Sequence, residues 1–238
     1  MEHLKIFLAD LTYDTITLST DAFPLNIGFI GSYTKAQFGS NVEIKLFKYI
    51  QKLEDELERS PPDILGMSNY AWCYRVSREI SKIFLRLNPN GIIVWGGPNF
   101  PLDLPSQERF FSDNSVIDIY VPVEGEIGFA NIVKKALEVK SKDEFRNKML
   151  EDPIDGCITR LKNGKLQYST APIRTKQLDE IPSPYTTGIL DEFFDGKLAP
   201  MIQTNRGCPF SCTFCVDGSD LVNKINSFSN ERVKEELH

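Results

Sequence analysis

The chain has 238 residues, enough for one large domain or for one complete domain and part of a second at roughly 100–200 residues each. Apolar residues make up 41% and charged residues 25%, ordinary values for a folded chain that exclude disorder as its main state. A net charge of −6 supplies no global positive field, which counts against nucleic acid as a partner. No run approaches the ~20 apolar residues of a membrane span.

The N-terminal stretch from Met1 to Leu8 has too short an apolar run for a secretory signal, so a cytoplasmic chain is expected. From there, short β-branched runs alternate with longer amphipathic ones, the pattern of βαβ units. Strands are predicted over 4–9, 42–47, 64–68, 92–95 and 117–121, and helices over 25–38, 50–59, 74–87, 106–111 and 126–138. In the third helix Val76, Ile80, Ile83, Phe84 and Leu87 fall at gaps of three and four and make one apolar stripe. Five strands alternating with five helices predict a doubly wound, five-stranded parallel α/β sheet over residues 1–140. Right-handed crossovers place its βα loops at the carboxyl edge, where ligands of such folds bind.

After residue 140 the rhythm changes. Residues 141–151 predict a short helix, and 156–161 with 165–169 predict two strands around the Asn163-Gly164 turn. The stretch 172–184 holds Pro172, Pro182 and Pro184 and reads as an extended connector against the first domain, which makes 141–198 a connecting region. A strand at 201–204 and a helix at 231–237 would open a second domain over 199–238.

That second segment contains Arg206-Gly207-Cys208-Pro209-Phe210-Ser211-Cys212-Thr213-Phe214-Cys215, a C-x3-C-x2-C spacing that places three of the chain's five cysteines within eight residues. Three thiolates on one loop can hold three corners of an iron–sulfur cubane and leave the fourth iron for an exogenous ligand. Structural zinc is the alternative, but it wants four Cys or His ligands. Cys73 and Cys157 lie far upstream and read as small buried residues. His3 and His238 are the only histidines.

The cysteine segment, following a strand and Arg-Gly-Cys-Pro, resembles the radical S-adenosylmethionine (SAM) superfamily. The resemblance implies that Cys208, Cys212 and Cys215 ligate a [4Fe–4S] cluster whose open iron binds SAM, that reduction cleaves SAM to a 5′-deoxyadenosyl radical, and that Phe214 lies beside the adenine. It also implies an electron donor such as a flavodoxin or ferredoxin. Upstream, Pro24-Leu25-Asn26-Ile27-Gly28, Asp63-Ile64-Leu65-Gly66-Met67-Ser68, Gly96-Gly97-Pro98-Asn99, Glu124-Gly125-Glu126 and the linker Leu178-Asp179-Glu180-Ile181-Pro182-Ser183-Pro184 are similar to the members that carry a cobalamin-binding domain. This implies cobalamin contacts at Ser68, Asn69, Gly96, Gly97, Pro98, Glu124, Gly125 and Glu126.

The residues themselves leave alternatives. Gly96-Gly97 can admit a planar ligand to the backbone or serve a tight turn. Glu124 and Glu126 can accept hydrogen bonds from a ligand or complement a helix dipole. The Asp-x-His-x-x-Gly motif that supplies a cobalt-ligating histidine in many cobalamin domains is missing, and Asp10-Leu11-Thr12-Tyr13 fills its place. Only 23 residues follow Cys215, whereas a barrel domain needs on the order of 200 residues. The chain is therefore expected to be the N-terminal portion of a radical SAM enzyme with the start of a partial βα barrel; the resemblance implies radical methyl transfer as one reaction for the whole enzyme, and the chain as given is expected to be too short for turnover. The alternative is a truncated, non-catalytic corrinoid-binding module.

Overall fold

A computed structural model describes residues 3–14, 18–168, 174–210, 212–213, 215 and 222–237. Its centre is β1 (Leu4–Thr12), flanked by β2 (Val42–Tyr49) and β3 (Ile64–Ser68), with β4 (Ile92–Gly96) and β5 (Ile119–Val121) continuing on the β3 side. All four pairings are parallel, with Ile6 opposite Ile44 and Ile64, and Val94 opposite Ile119. The order β2-β1-β3-β4-β5 reverses direction at β1, so the sheet is doubly wound.

Strand periodicity sorts the side chains into two cores. Leu4, Ile6, Leu8, Ile64, Ile92, Val94, Ile119 and Val121 face α1 (Leu25–Phe38) and α5 (Gly125–Glu138), packing on Phe29, Phe129, Ile132 and Val133. Phe7, Ala9, Leu65, Met67, Ile93, Trp95 and Tyr120 face α2 (Ile50–Arg59), α3 (Tyr74–Leu87) and α4 (Leu104–Asp113), packing on Leu53, Leu57, Ile80, Phe84 and Phe111. The α3 stripe ends sooner than predicted, because Leu87 at its last position is exposed. α4 is longer than predicted: Asp103 caps it, its carboxylate accepting the Ser106 N–H at 3.0 Å, and Pro105 occupies its first turn.

The sheet has seven strands rather than five. After the short α6 (Phe145–Met149), the hairpin β6 (Ile158–Arg160) and β7 (Leu166–Tyr168) adds antiparallel to β5, with Tyr120 opposite Ile158. Cross-strand bonds locate this hairpin in the sheet, so it is not a free-standing part of the connector. Sequence periodicity marks a hairpin but does not say what its outer edge pairs with.

Residues 174–200 then cross α1, burying Leu178, Ile181, Leu190, Phe193 and Leu198 in the first core. Ser32 Oγ donates to the Pro182 carbonyl at 2.8 Å, and the Tyr49 hydroxyl donates to Asp195 at 2.5 Å. The strand expected at 201–204 does not form. Met201 and Ile202 stay exposed, and the pairing begins at Asn205, where β8 (Asn205–Arg206) meets β9 (Asn226–Ser227) antiparallel ahead of α7 (Asn230–Leu237). No described helix is long and apolar enough to cross a membrane.

Candidate cofactor and cluster site

The carboxyl ends of β1, β3, β4 and β5 gather the expected site residues. Ser68 and Asn69 are both buried where β3 ends. The Ser68 hydroxyl accepts from Asn26 Nδ2 at 2.9 Å, and its carbonyl accepts from the Ser77 hydroxyl and the Cys73 thiol. Asn69 locks the β3 and β4 loops together: its N–H donates to the Gly96 carbonyl, its Nδ2 to the Asn99 carbonyl, and its Oδ1 accepts from Asn99 Nδ2. Tyr120 closes this network by donating to the Gly97 carbonyl at 2.7 Å.

The network explains Gly97. Its φ is +124°, and a Cβ there would stand 2.8 Å from the Asn69 carbonyl oxygen. The close approach is made by the β3 loop itself, so the tight-turn alternative accounts for this glycine. Pro98 and Asn99 remain exposed at the rim.

Glu124 stands at the N-cap of α5 and Glu126 in its first turn, where a carboxylate complements the helix dipole. Both carboxylates are consumed by arginines from later in the chain. Glu124 accepts from Arg174 Nε at 3.0 Å and from the Thr175 N–H at 2.7 Å. Glu126, 3% exposed, accepts two bonds from Arg206, Nη2 at 2.7 Å and Nη1 at 3.1 Å. Burial works against the Arg206 charge, but Glu126 and then Glu124 outweigh it and raise its pKa further. Its guanidinium also lies 5.1 Å from the centre of the Phe29 ring. Gly125, between the two carboxylates, packs against Ile30.

The cysteine loop starts two residues beyond Arg206. Gly207, with φ +100°, fits where a Cβ would fall 2.2 Å from the Lys224 carbonyl oxygen, and the Cys208 N–H donates to the Val222 carbonyl at 3.0 Å. Cys208 is half-buried, Cys212 and Cys215 are exposed, and all three are free. Phe214 lies outside the described residues. Among the described residues no three His, Cys, Asp or Glu side chains form a preassembled metal group. The donor set still suits a three-thiolate ligation, since a loop of this kind draws its ligands together on binding. It does not suit a four-thiolate zinc site, because the Cys73 and Cys157 thiols are buried in the sheet unit, donating to the Ser68 and Gly128 carbonyls.

Several residues at this edge were not singled out from the sequence. Lys48 is 1% exposed and meets Asp10 at 3.1 Å, while the other Asp10 carboxylate oxygen is buried with no hydrogen-bond partner. Tyr70 and Trp72 stack at 4.5 Å with planes 7° apart, and Trp72 is 48% exposed. Burial, then the Asp10 charge, pushes the Tyr70 hydroxyl up to about 12. The available signal was a lysine inside the apolar run Leu46-Phe47-Lys48-Tyr49.

No family model matches the chain. It is 26% identical over 230 residues to the cobalamin-dependent radical SAM methyltransferase TokK of Streptomyces tokunonensis, covering 90% of this chain and 31% of that protein. It is 29% identical over 188 residues to the 2-(S-pantetheinyl)-carbapenam-3-carboxylate methyltransferase of Streptantibioticus cattleyicolor, covering 74% and 25%. The chain is a homologue of cobalamin-dependent radical SAM methyltransferases. Its fold matches that of the cobalamin-dependent radical SAM enzyme OxsB, solved with aquacobalamin and SAM, at a TM-score of 0.68 and 22% identity over 99% of this chain and 31% of that one. This radical SAM homologue thus spans about a third or less of the length of those relatives.

Proposed function

We propose that the chain is the corrinoid- and cluster-bearing part of a cobalamin-dependent radical SAM enzyme, with methyl transfer as its reaction. The observation that carries this reading is the placement of a loop of three free thiols, Cys208, Cys212 and Cys215, against the carboxyl edge of a doubly wound sheet through the Arg206–Glu126 pair. A [4Fe–4S] cluster held by three thiolates would supply an open iron for SAM and the electron for its cleavage.

The chain's own residues do the rest. The exposed Trp72 ring and the rim residues Pro98 and Asn99 offer an apolar and amide surface for a corrin, and the unpartnered Asp10 oxygen offers an acceptor. The Asn69 network keeps the β3 and β4 loops in one arrangement before anything binds. A small iron–sulfur or flavin protein would deliver the electron, a partnership and a set of free thiols that suit a reducing compartment.

Anaerobic reconstitution with iron and sulfide should give absorbance near ~400 nm that is lost when Cys208, Cys212 and Cys215 are changed together to alanine. Absorbance that survives the triple substitution overturns the ligand assignment. Hydroxocobalamin should co-elute with the chain on gel filtration, and elution of all colour with the small molecules overturns the corrinoid reading.

A further inference from the structure

Two carboxylates buried two positions apart need a reason, because a charge removed from water is costly unless paired and fully hydrogen-bonded. Both oxygens of Glu126 are taken by Arg206, leaving little capacity for a cofactor amide. The remaining Arg206 donor, Nε, reaches Gln203 at 2.9 Å, and Nη1 lies 3.7 Å from Glu124. Glu124 extends the set through Arg174, whose Nη1 donates to the Lys224 carbonyl, and through Thr175, whose carbonyl accepts from Asn226 Nδ2. Arg206 and Asn226 face each other across β8 and β9. The entry to the cysteine loop, its exit and the connector are thus tied to one short stretch at the start of α5.

We infer that Arg206 and Glu126 are positioning residues that fix the cysteine loop on the sheet unit, with Glu124 holding the connector and the loop's exit to the same point. The inference rests on the cysteines being cluster ligands for its consequence but not for its geometry. Arg206 lies two residues before Cys208, a span of at most about 7 Å, so its seating sets where the first thiol stands. A bidentate guanidinium–carboxylate pair fixes direction as well as distance, which a lysine in its place cannot do. The stretch 122–125 leads from the ligand edge of β5 into the clamp, so the sheet edge and the cysteine loop share one rigid link.

The full chain tests this without any cluster. In Arg206→Lys and Glu126→Gln, iodoacetamide should label the half-buried Cys208 about tenfold faster than in the parent, with Cys73 and Cys157 still protected, which reports local release of the loop rather than unfolding. The exchanged pair Glu126→Arg with Arg206→Glu should recover part of the protection. After reconstitution, both single variants should lose iron to a chelator about tenfold faster than the parent, in keeping with ligand-positioning contacts worth 10–100-fold in metal affinity. Unchanged Cys208 labelling in both single variants overturns the clamp. If the parent chain itself takes up no iron, the cluster reading fails while the labelling still decides the clamp.

Discussion

Cys73 and Cys157 share a chain with the three motif cysteines but not their chemistry. Burial pushes the Cys157 thiol up to about 12 and raises Cys73 as well, and each donates to a backbone carbonyl. The thiolate is the nucleophile, so both are inert in the folded chain. At pH 8, iodoacetamide followed by peptide mass spectrometry should find Cys212 and Cys215 alkylated and Cys73 and Cys157 untouched until denaturant is added. Native-state labelling of Cys157 at the rate of Cys212 would contradict the packing described. At this scale the sequence was informative where chemistry is local: cysteine spacing marked out the loop that carries the proposed cluster ligands. It was silent on Arg206, which stands in the same motif, because its partner Glu126 is 80 residues away and nothing in either neighbourhood specifies the pairing. The same distance effect hid the role of Glu124, whose environment is made by Arg174 and Thr175.

Among the elements, the turn from β5 into α5 carries the strain. Val123 adopts φ +65°, a region that β-branched residues strongly avoid. Glu124 follows it, held by Arg174 and Thr175, and those bonds over-determine the backbone conformation. Val123→Gly should therefore raise stability by about 1 kcal/mol, the relieved strain of order 1–3 kcal/mol outweighing the added freedom of the unfolded chain. Urea unfolding with an unchanged slope and a higher midpoint would show it, and a lower midpoint would contradict it. Elements themselves were largely legible: α1, α2, α3 and β3 begin and end where periodicity and flanking residues place them. The strand expected at 201–204 was not formed: the Tyr185 hydroxyl bonds both the Met201 N–H and its carbonyl, and the Phe228 N–H reaches the Thr204 carbonyl, so side-chain and single backbone contacts stand where a strand ladder would.

For the whole molecule, ion pairs and hydrogen bonds tie successive parts of the chain together and make its stability depend on acid. The Lys45 ammonium, 2.8 Å away, holds Glu56 below the usual carboxylate range, and the Tyr49 hydroxyl does the same for Asp195 across the contact between the sheet and the connector. Both groups bind protons less readily folded than unfolded. Their stabilisation is complete above the ordinary carboxylate range near ~4 and is lost as the pH falls through it toward their lowered values. Melting temperatures should fall between pH 6 and about 3, and Tyr49→Phe should flatten part of that fall. A melting temperature that holds or rises on acidification would contradict the assignment. The doubly wound architecture followed from the alternation of strands and helices. The membership of the sixth and seventh strands did not, since which edge a hairpin joins is decided only after the sheet exists.

That late addition bears on how the chain is made. β5 leaves the ribosome before β6, so during synthesis its Ile119-Tyr120-Val121 edge stands open, a short β-prone run with no charge to deter pairing. Only when Ile158 and Thr159 arrive does the hairpin cover that edge and place its own outer strand, Leu166-Gln167-Tyr168 with Gln167 exposed, at the border. The hairpin thus takes up the backbone groups of the apolar β5 edge and leaves at the border a strand only three residues long, the kind of short edge that offers little to a second chain.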